Sequence, residues 1–125
     1  MTTLLNEGKV KTVYDVDGDA QKVTIKFHDK VTAWNGKHVE YPPEKGATCC
    51  LISALLFEMC EKNGIKTHYL GTEGLDTLLC RKLTIIPVEV IVRNIAAGSI
   101  VKNTNINEGT FIQPPIVEYF LKDDA

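Results

Sequence analysis

The sequence has 125 residues, of which 44% are hydrophobic and 24% are charged, and its formal net charge is −2 at pH 7. This composition excludes a disordered chain, and the length suits a single domain over residues 1–125. The near-neutral charge gives no field that would gather nucleic acid, and no apolar run approaches the roughly 20 residues that span a bilayer, so we expect neither partner.

The first regular structure is predicted to be a β-hairpin. Residues 10–14 and 22–27 alternate apolar and polar side chains on either side of a turn signal at residues 17–19. The second run places Val23, Ile25 and Phe27 on one face, which predicts a hairpin with one buried side.

A helix is predicted over residues 47–63, after the break at Pro42-Pro43 and before a terminating Gly64. Apolar side chains recur along it at helical spacing and charged ones lie mostly opposite: Ile52, Leu55, Leu56 and Met59 against Glu58, Glu61 and Lys62. This pattern is typical of an amphipathic helix that packs on a sheet.

The second half of the chain is predicted to be mainly extended. Residues 68–70, 77–83 and 87–93 form three such runs, and the last has valines on one face with Glu89, Ile91 and Arg93 on the other. Residues 100–103 could form a short helix capped by Ser99, and a further extended segment follows Pro114-Pro115. The predicted class is α+β, with a twisted antiparallel sheet packed on one main helix.

The four cysteines, at positions 49, 50, 60 and 80, lack the spacing of a zinc site. The three histidines also lack metal-ligand spacing, so no metal ligand is identified. We interpret the cysteines as reduced thiols of a cytoplasmic protein, in keeping with an N-terminus that has no signal-peptide pattern.

A first candidate site is Gly8-Lys9-Val10-Lys11. Glycine lets the backbone approach a ligand closely, and two lysines that share a strand face would be stabilised by an anion such as a polyphosphate. A solvated edge strand guarded by lysines is the alternative.

A second candidate is the pair Glu89 and Arg93, on one face of an otherwise apolar strand. Either they form an ion pair or network, or this face contacts a ligand, for which the Arg93 guanidinium suits phosphate or carboxylate. Asp29, Thr32 and Asn35 are expected in a polar loop, where ligand contacts are frequent.

The order and spacing of these segments, from residue 7 to the last residue, resembles the SAICAR synthetase family (phosphoribosylaminoimidazole-succinocarboxamide synthase) of purine biosynthesis. The segments that carry the resemblance are Gly8-Lys9-Val10-Lys11-Thr12-Val13-Tyr14, Thr32-Ala33-Trp34-Asn35-Gly36, Lys45-Gly46, Pro87-Val88-Glu89-Val90-Ile91-Val92-Arg93-Asn94, Ala96-Ala97-Gly98-Ser99, Pro114-Pro115-Ile116-Val117-Glu118 and Lys122-Asp123-Asp124. The family uses ATP and Mg²⁺ to join L-aspartate to a carboxylated aminoimidazole ribonucleotide (CAIR). The resemblance implies activation of the CAIR carboxylate by phosphoryl transfer, followed by attack of the aspartate amine.

The resemblance also implies roles for single residues. It places Gly8, Lys9 and Lys11 at the ATP phosphates, Lys82 in a hinge segment beside adenine, and Glu89 facing the nucleotide. It implies a catalytic role for Lys11 and Arg93. The implied substrate-binding residues are Asp29, Thr32, Asn35, Arg93, Ser99, Lys122 and Asp123.

Two departures from the family pattern shape the functional hypotheses. Cys49 and Cys50 stand where the family usually has asparagines, and family members are about twice as long, with their Mg²⁺ carboxylates in the other half. One hypothesis is a ligase completed by self-assembly or by another chain. The alternative is a non-catalytic module that binds a nucleotide or purine intermediate and could pair with a full-length synthetase. Either way we expect a homo-oligomer or a complementing chain.

Overall fold

The computed structural model describes residues 3–33 and 37–122. Two compact units make up the chain, one over residues 1–83 and one over residues 84–125. Asn35 and Asp123, both expected at a substrate site, lie outside the described residues. The expectation of one domain over the whole chain stays a prediction.

The described part of the first unit contains a five-stranded sheet, a two-stranded ribbon and a long helix. The elements are β1 (Leu4–Glu7), β2 (Lys11–Val16), β3 (Asp19–Phe27), β4 (Val31–Ala33), β5 (His38–Glu40), α1 (Lys45–Lys62), β6 (Tyr69–Thr72) and β7 (Thr77–Arg81). The sheet has the order β1-β2-β3-β7-β6 with all neighbours antiparallel, and β4 pairs with β5 in the ribbon. The predicted antiparallel sheet on one main helix is confirmed.

The core of this unit lies between α1 and one face of the sheet. The register of β3 against β7 pairs Val23 with Cys80 and Ile25 with Leu78, which puts the alternating apolar side chains of both strands on the same face. The buried residues of this core are Val23, Phe27, Cys50, Ala54, Tyr69, Leu78 and Cys80. The predicted burial of Val23 and Phe27 is therefore confirmed, and Ile25 packs against the same cluster.

Local sequence explains where α1 ends. Gly64 has a φ of 80°, and its N–H donates to the carbonyl of Glu61 at 3.0 Å. The N–H of Ile65 donates to the carbonyl of Cys60 at 3.0 Å, which completes a Schellman motif. The predicted stop at Gly64 is confirmed, and the helix begins two residues earlier than expected.

The face of α1 that packs on the sheet differs from the one expected. Gly46, Cys50 and Ala54 are the buried helix residues, so small side chains face the sheet. The large apolar residues that were predicted to form the packed face are instead 52–56% exposed: Ile52, Leu55, Leu56 and Met59. Small residues let the helix axis approach the sheet closely, and α1 is apolar on both sides, so periodicity alone could not choose between them.

The described part of the second unit is a β-hairpin with a short helix in its connection. Its elements are β8 (Val88–Ile95), α2 (Ser99–Asn103) and β9 (Phe111–Leu121). The strands pair antiparallel over most of their length, from Val88 opposite Leu121 to Ile95 opposite Phe111. Ala96 and Ile100 are buried beside the connection, while Val90 and Val92 expose more than half of their surface.

Candidate functional site

Residues 8–11 form a tight turn between β1 and β2, here called the glycine turn. The N–H of Gly8 donates to the carbonyl of Lys11 at 2.8 Å, and a side chain at Gly8 would meet that oxygen at 3.4 Å. The expectation that Lys9 and Lys11 share a strand face is wrong, because β2 begins only at Lys11 and Lys9 lies in the turn.

A cavity of about 320 Å³ opens beside the glycine turn. Its lining brings together three of the predicted site residues with four others: Glu7, Gly8, Lys9, His28, Asp29, Lys30 and Tyr41. Lys9 and Lys30 supply two ammonium groups there, and Gly8 leaves its backbone open to a ligand. Ammonium groups beside open backbone suit the oxygens of a phosphate chain, although two carboxylates also line the cavity.

Residues 28–30 also line this cavity, and hydrogen bonds connect His28 to the glycine turn and to β2. The N–H of His28 donates to the carbonyl of Val10 at 2.9 Å. The His28 ring lies 2.5 Å from the hydroxyl of Thr12, which is buried. The glycine turn and residues 28–30 are therefore held as one piece.

The same segment is fixed to the start of α1. Asp29 Oδ1 accepts the N–H of Gly46 at 2.7 Å, which satisfies one of the amides left free at a helix N-terminus. Lys45 Nζ donates to the carbonyls of His28 and Lys30 at 3.1 and 3.2 Å. Asp29 was expected at the substrate. It also caps the N-terminus of α1, although it lies 17 residues before Gly46 in the sequence.

Lys11 is directed over the sheet rather than into the turn. Its Nζ lies 5.0 Å from the centroid of the Phe27 ring, its cross-strand neighbour. Burial, and then the positive charge of Lys11, lower the pKa of His68 below its usual 6.5. Lys11 therefore places its charge on the face of the sheet that also carries α1.

The structure places two further predicted residues of this unit away from the cavity. Lys82 Nζ pairs with Asp15 Oδ1 at 2.5 Å, so its charge is matched at the surface. Thr32 lies in the strand β4 opposite Val39 rather than in a loop, and the described residues that line the cavity do not include it. The loop prediction is wrong for Thr32.

In the second unit, Arg93 and Ser99 are in direct contact. Arg93 Nη2 donates to Ser99 Oγ at 2.9 Å, Nη1 donates to the carbonyl of Ala97 at 2.8 Å, and Nε donates to Glu118. The guanidinium is thus held on three sides, with two N–H groups not used by these bonds.

Of the alternatives left open for Glu89 and Arg93, an ion-pair network holds for Arg93, which pairs with Glu118 on β9. Glu89 is exposed and makes no ion pair with another described residue. The expectation for Ser99 needs correction. Ser99 does not cap α2, because Gly98 occupies the cap position and Ser99 begins the helix. Its hydroxyl accepts a hydrogen bond from Arg93 instead. The last predicted residue, Lys122, follows β9, and its N–H donates to the carbonyl of Pro87 at 2.9 Å.

Sequence reasoning missed Glu118 and Lys45 as parts of these clusters. Glu118 interrupts an apolar run from Ile116 to Phe120, which is a signal of the same kind that drew attention to Arg93. Lys45 gave no such signal, because its carbonyl partners lie 15 and 17 residues away.

A metal site is not assigned in the part of the chain that the structure describes. Within residues 3–33 and 37–122, no group of three or more His, Cys, Asp or Glu side chains could hold an ion. Over the same residues, no helix has the length and apolar character needed to cross a membrane.

Comparison with known proteins gives one consistent match. The family model for SAICAR synthetase covers residues 4–125. The phosphoribosylaminoimidazole-succinocarboxamide synthase of Sulfolobus acidocaldarius is 48% identical over 118 residues, which is 94% of this chain and 49% of that protein. The chain thus spans about half the length of the curated relatives it matches.

Solved structures of proteins with the same name have the same fold over this part of their chains. The enzyme of the same name from Ehrlichia chaffeensis superposes with a TM-score of 0.89 at 36% identity, over 97% of this chain and 51% of that one. A SAICAR synthetase (Type-2) in complex with ADP gives a TM-score of 0.87 at 37% identity, over 95% and 50% of the two chains.

Proposed function

The chain belongs to the SAICAR synthetase family, and from this membership we propose that it acts in the ATP-dependent joining of L-aspartate to CAIR, giving SAICAR, ADP and phosphate. It spans about half of its relatives' length, so we further propose that it does so as a self-assembled form or with a complementing chain.

The observation that carries the proposal is the cavity beside the glycine turn. Lys9 and Lys30 face it together with the open backbone of Gly8, as a site for the phosphates of ATP requires. The ADP bound to a structural relative with the same fold supports this assignment. The ammonium of Lys11 lies over the Phe27 ring, and Lys11 is not among the residues that line the cavity. Lys11, Lys82 and Glu89 are therefore proposed nucleotide contacts on the family pattern alone.

We assign the anionic substrate to Arg93 and Ser99. Their mutual hydrogen bond fixes a planar guanidinium beside a hydroxyl, and the two N–H groups of Arg93 not used in its three bonds can donate to a phosphate or carboxylate. Asp29, Thr32, Asn35, Lys122 and Asp123 are proposed substrate contacts from the family pattern.

In this reaction the CAIR carboxylate oxygen attacks the γ-phosphorus, and ADP leaves. The aspartate amine then attacks the acyl carbon, loses a proton and expels phosphate. Lys9 would neutralise charge on the phosphates, Lys11 would do so on the family pattern, and Arg93 would hold CAIR in place. Mg²⁺ would supply further neutralisation, but the described residues offer no cluster that fits it, so no step is assigned to it.

A non-catalytic module that binds a nucleotide or purine intermediate is the second candidate. The exposed apolar side chains of the second unit, Val90, Val92, Val117 and Tyr119, support its pairing with another chain, such as a full-length synthetase. For either role we infer a cytoplasmic location, where the four unpaired cysteines would stay reduced.

The test uses the purified chain with ATP, Mg²⁺, CAIR and aspartate, and detects SAICAR by mass spectrometry. Calorimetry with ADP and with CAIR measures binding separately. We expect Lys9→Ala to weaken ADP binding and Arg93→Ala to weaken CAIR binding, each by about tenfold or more, since each removes charged hydrogen-bond donors. Lys66→Ala, at an exposed lysine outside both clusters, is the matched control.

Product formation that Lys11→Ala and Arg93→Ala abolish would support the ligase. Binding of ADP or CAIR without product would support the binding module. If neither ligand binds to the wild-type chain, both functions are contradicted.

A further inference from the structure

The guanidinium of Arg93 is held at Nε by the carboxylate of Glu118. In the register of β8 and β9, Arg93 lies opposite Ile116, which is two residues before Glu118. The two charged residues are therefore diagonal neighbours on one face of the hairpin, where long side chains can meet. The side chains of Arg93 and Glu118 are only 14% and 23% exposed, so water screens this pair less than it screens a pair on the open surface.

The three hydrogen bonds of Arg93 leave a defined set of donors free of these contacts. Nε donates to Glu118, Nη1 donates to the carbonyl of Ala97 and Nη2 donates to Ser99 Oγ, which leaves one N–H on each Nη. Arginine has no acceptor, so Ser99 must accept in this contact, and its hydroxyl hydrogen is not used there. An anion beside the cluster could accept from all three of these donors.

Of the three bonds, the one at Nε is the anchor. The bonds to Ala97 and Ser99 lie at the exposed surface, whereas the bond to Glu118 is partly buried. The Nε–H also lies in the plane of the guanidinium, so its direction sets the rotation of that plane about the Cδ–Nε bond. Glu118 therefore decides where the remaining N–H groups of Arg93 are directed.

We propose that Glu118 is a positioning residue of the anionic-substrate site, and that it orients Arg93 so that both Nη atoms and the Ser99 hydroxyl donate to one anion. This role rests on the proposed function, in which CAIR is the anion bound by Arg93 and Ser99. Glu118 contacts Arg93 rather than the substrate, and it lowers the cost of ordering a flexible side chain when the substrate binds.

Two substitutions of Glu118 separate its hydrogen bond from its charge. Glu118→Gln and Glu118→Ala both remove the negative charge, but only glutamine keeps an acceptor for Arg93 Nε. Calorimetry with CAIR and the full chain should therefore show binding about tenfold weaker in Glu118→Ala than in Glu118→Gln. Glu108→Ala, at an exposed glutamate of the same unit outside the cluster, is the matched control and should bind CAIR as the wild type does.

A second measurement follows the guanidinium itself and needs no ligand. The chain has two arginines, Arg81 and Arg93, so two Nε–H signals are expected in a nitrogen–proton NMR spectrum. The signal lost in Arg93→Ala belongs to Arg93. It should exchange with water slowly in the wild type and in Glu118→Gln, and about tenfold faster in Glu118→Ala. The Arg81 signal and the backbone amides of β8 and β9 should exchange equally in all three proteins, which shows that the hairpin is intact.

Failure of the substrate site and failure of the positioning role give different results. If the wild type does not bind CAIR, or if Arg93→Ala binds it equally well, the proposed substrate site is wrong and the role of Glu118 falls with it. If binding depends on Arg93 but is equal in Glu118→Ala and Glu118→Gln, only the positioning role is overturned. Equal exchange of the Arg93 Nε–H in both variants, or faster exchange of the β8 amides in Glu118→Ala, would overturn that role as well.

Discussion

Cys50 and Cys80 show how burial fixes the chemistry of single residues in this chain. Both lie in the core between α1 and the sheet, and burial raises the pKa of the Cys80 thiol to about 11 and that of Cys50 above its usual value. A thiol reacts through its thiolate, so both should be unreactive in the folded protein. They act as small apolar residues that let the helix approach the sheet.

The difference in burial between these two cysteines and the other two predicts two classes of thiol reactivity. Near pH 8, Cys49 and Cys60, which are partly exposed, should react with an aromatic disulfide reagent, while Cys50 and Cys80 should react only after unfolding. Cys60→Ser should remove one fast thiol and leave the slow class unchanged. Rapid reaction of Cys80 in the native state would contradict the burial of this residue.

His68 makes stability depend on pH. Its ring centroid lies 5.0 Å from that of Phe57 in an edge-on contact. Burial, followed by the positive charge of Lys11, lowers the pKa of His68 below 6.5. The unfolded chain therefore takes up the proton first as pH falls through 6.5, so protonation favours unfolding and the free energy of unfolding decreases below that pH.

Urea unfolding at a series of pH values measures this effect. The wild type should lose stability as the pH falls below 6.5, and His68→Gln should lose less over the same interval, because the variant has no proton to take up there. Equal slopes in the two proteins would show that other groups cause the pH dependence.

At the scale of elements, the contact between the start of α1 and residues 28–30 determines the position of the helix relative to the sheet. Gly46 is required there because an added Cβ would lie 2.9 Å from the carbonyl oxygen of Phe27 and 3.1 Å from Asp29 Oδ1. Asp29 then reaches the N–H of Gly46 directly. A close approach of backbone to backbone cannot be relieved by rotation of a side chain.

Gly46→Ala should therefore lower the free energy of unfolding by about 1–3 kcal/mol, since the clash exceeds the gain of up to roughly 1 kcal/mol in helix propensity. Gly71→Ala is the matched control, because nothing lies within 4 Å of its added Cβ, and it should change stability by less than about 0.5 kcal/mol. Thermal and urea unfolding measure both. A neutral Gly46→Ala would show that the helix can shift freely.

At the scale of the whole molecule, the two units differ in how much core each holds. The first has seven residues in one buried cluster between a helix and a five-stranded sheet. The described part of the second has a two-stranded sheet, with Ala96 and Ile100 as its buried apolar residues. Independent stability generally needs three strands, or strands packed on another element.

Two fragments of the chain, one for each unit, test this difference in core size. Residues 1–83 expressed alone should unfold cooperatively, and residues 84–125 alone should show no cooperative transition by circular dichroism. A cooperative transition in the shorter fragment would mean that the hairpin and α2 form an independent core. Failure of the longer fragment to fold would show that it needs the rest of the chain.

The candidate site was predictable where its signals were local. Gly8, Lys9 and Asp29 were singled out from sequence and line one cavity, and Arg93 and Ser99 were singled out and form a hydrogen bond. The partners of these residues were not predictable. Asp29 caps a helix 17 residues later, and Arg93 pairs with Glu118, 25 residues away. Sequence spacing carries no information on such pairs until the strands and helix are packed.

The sequence by itself determined the β2–β3 hairpin, the helix with its stop at Gly64, and the family, because alternation, capping and motif order are local properties of the chain. Only the tertiary structure decided which side of α1 is buried. Both sides of that helix are apolar, and the sheet selects the side whose small residues let the two surfaces approach. The same choice leaves the larger apolar residues exposed, where the sequence pattern had predicted burial.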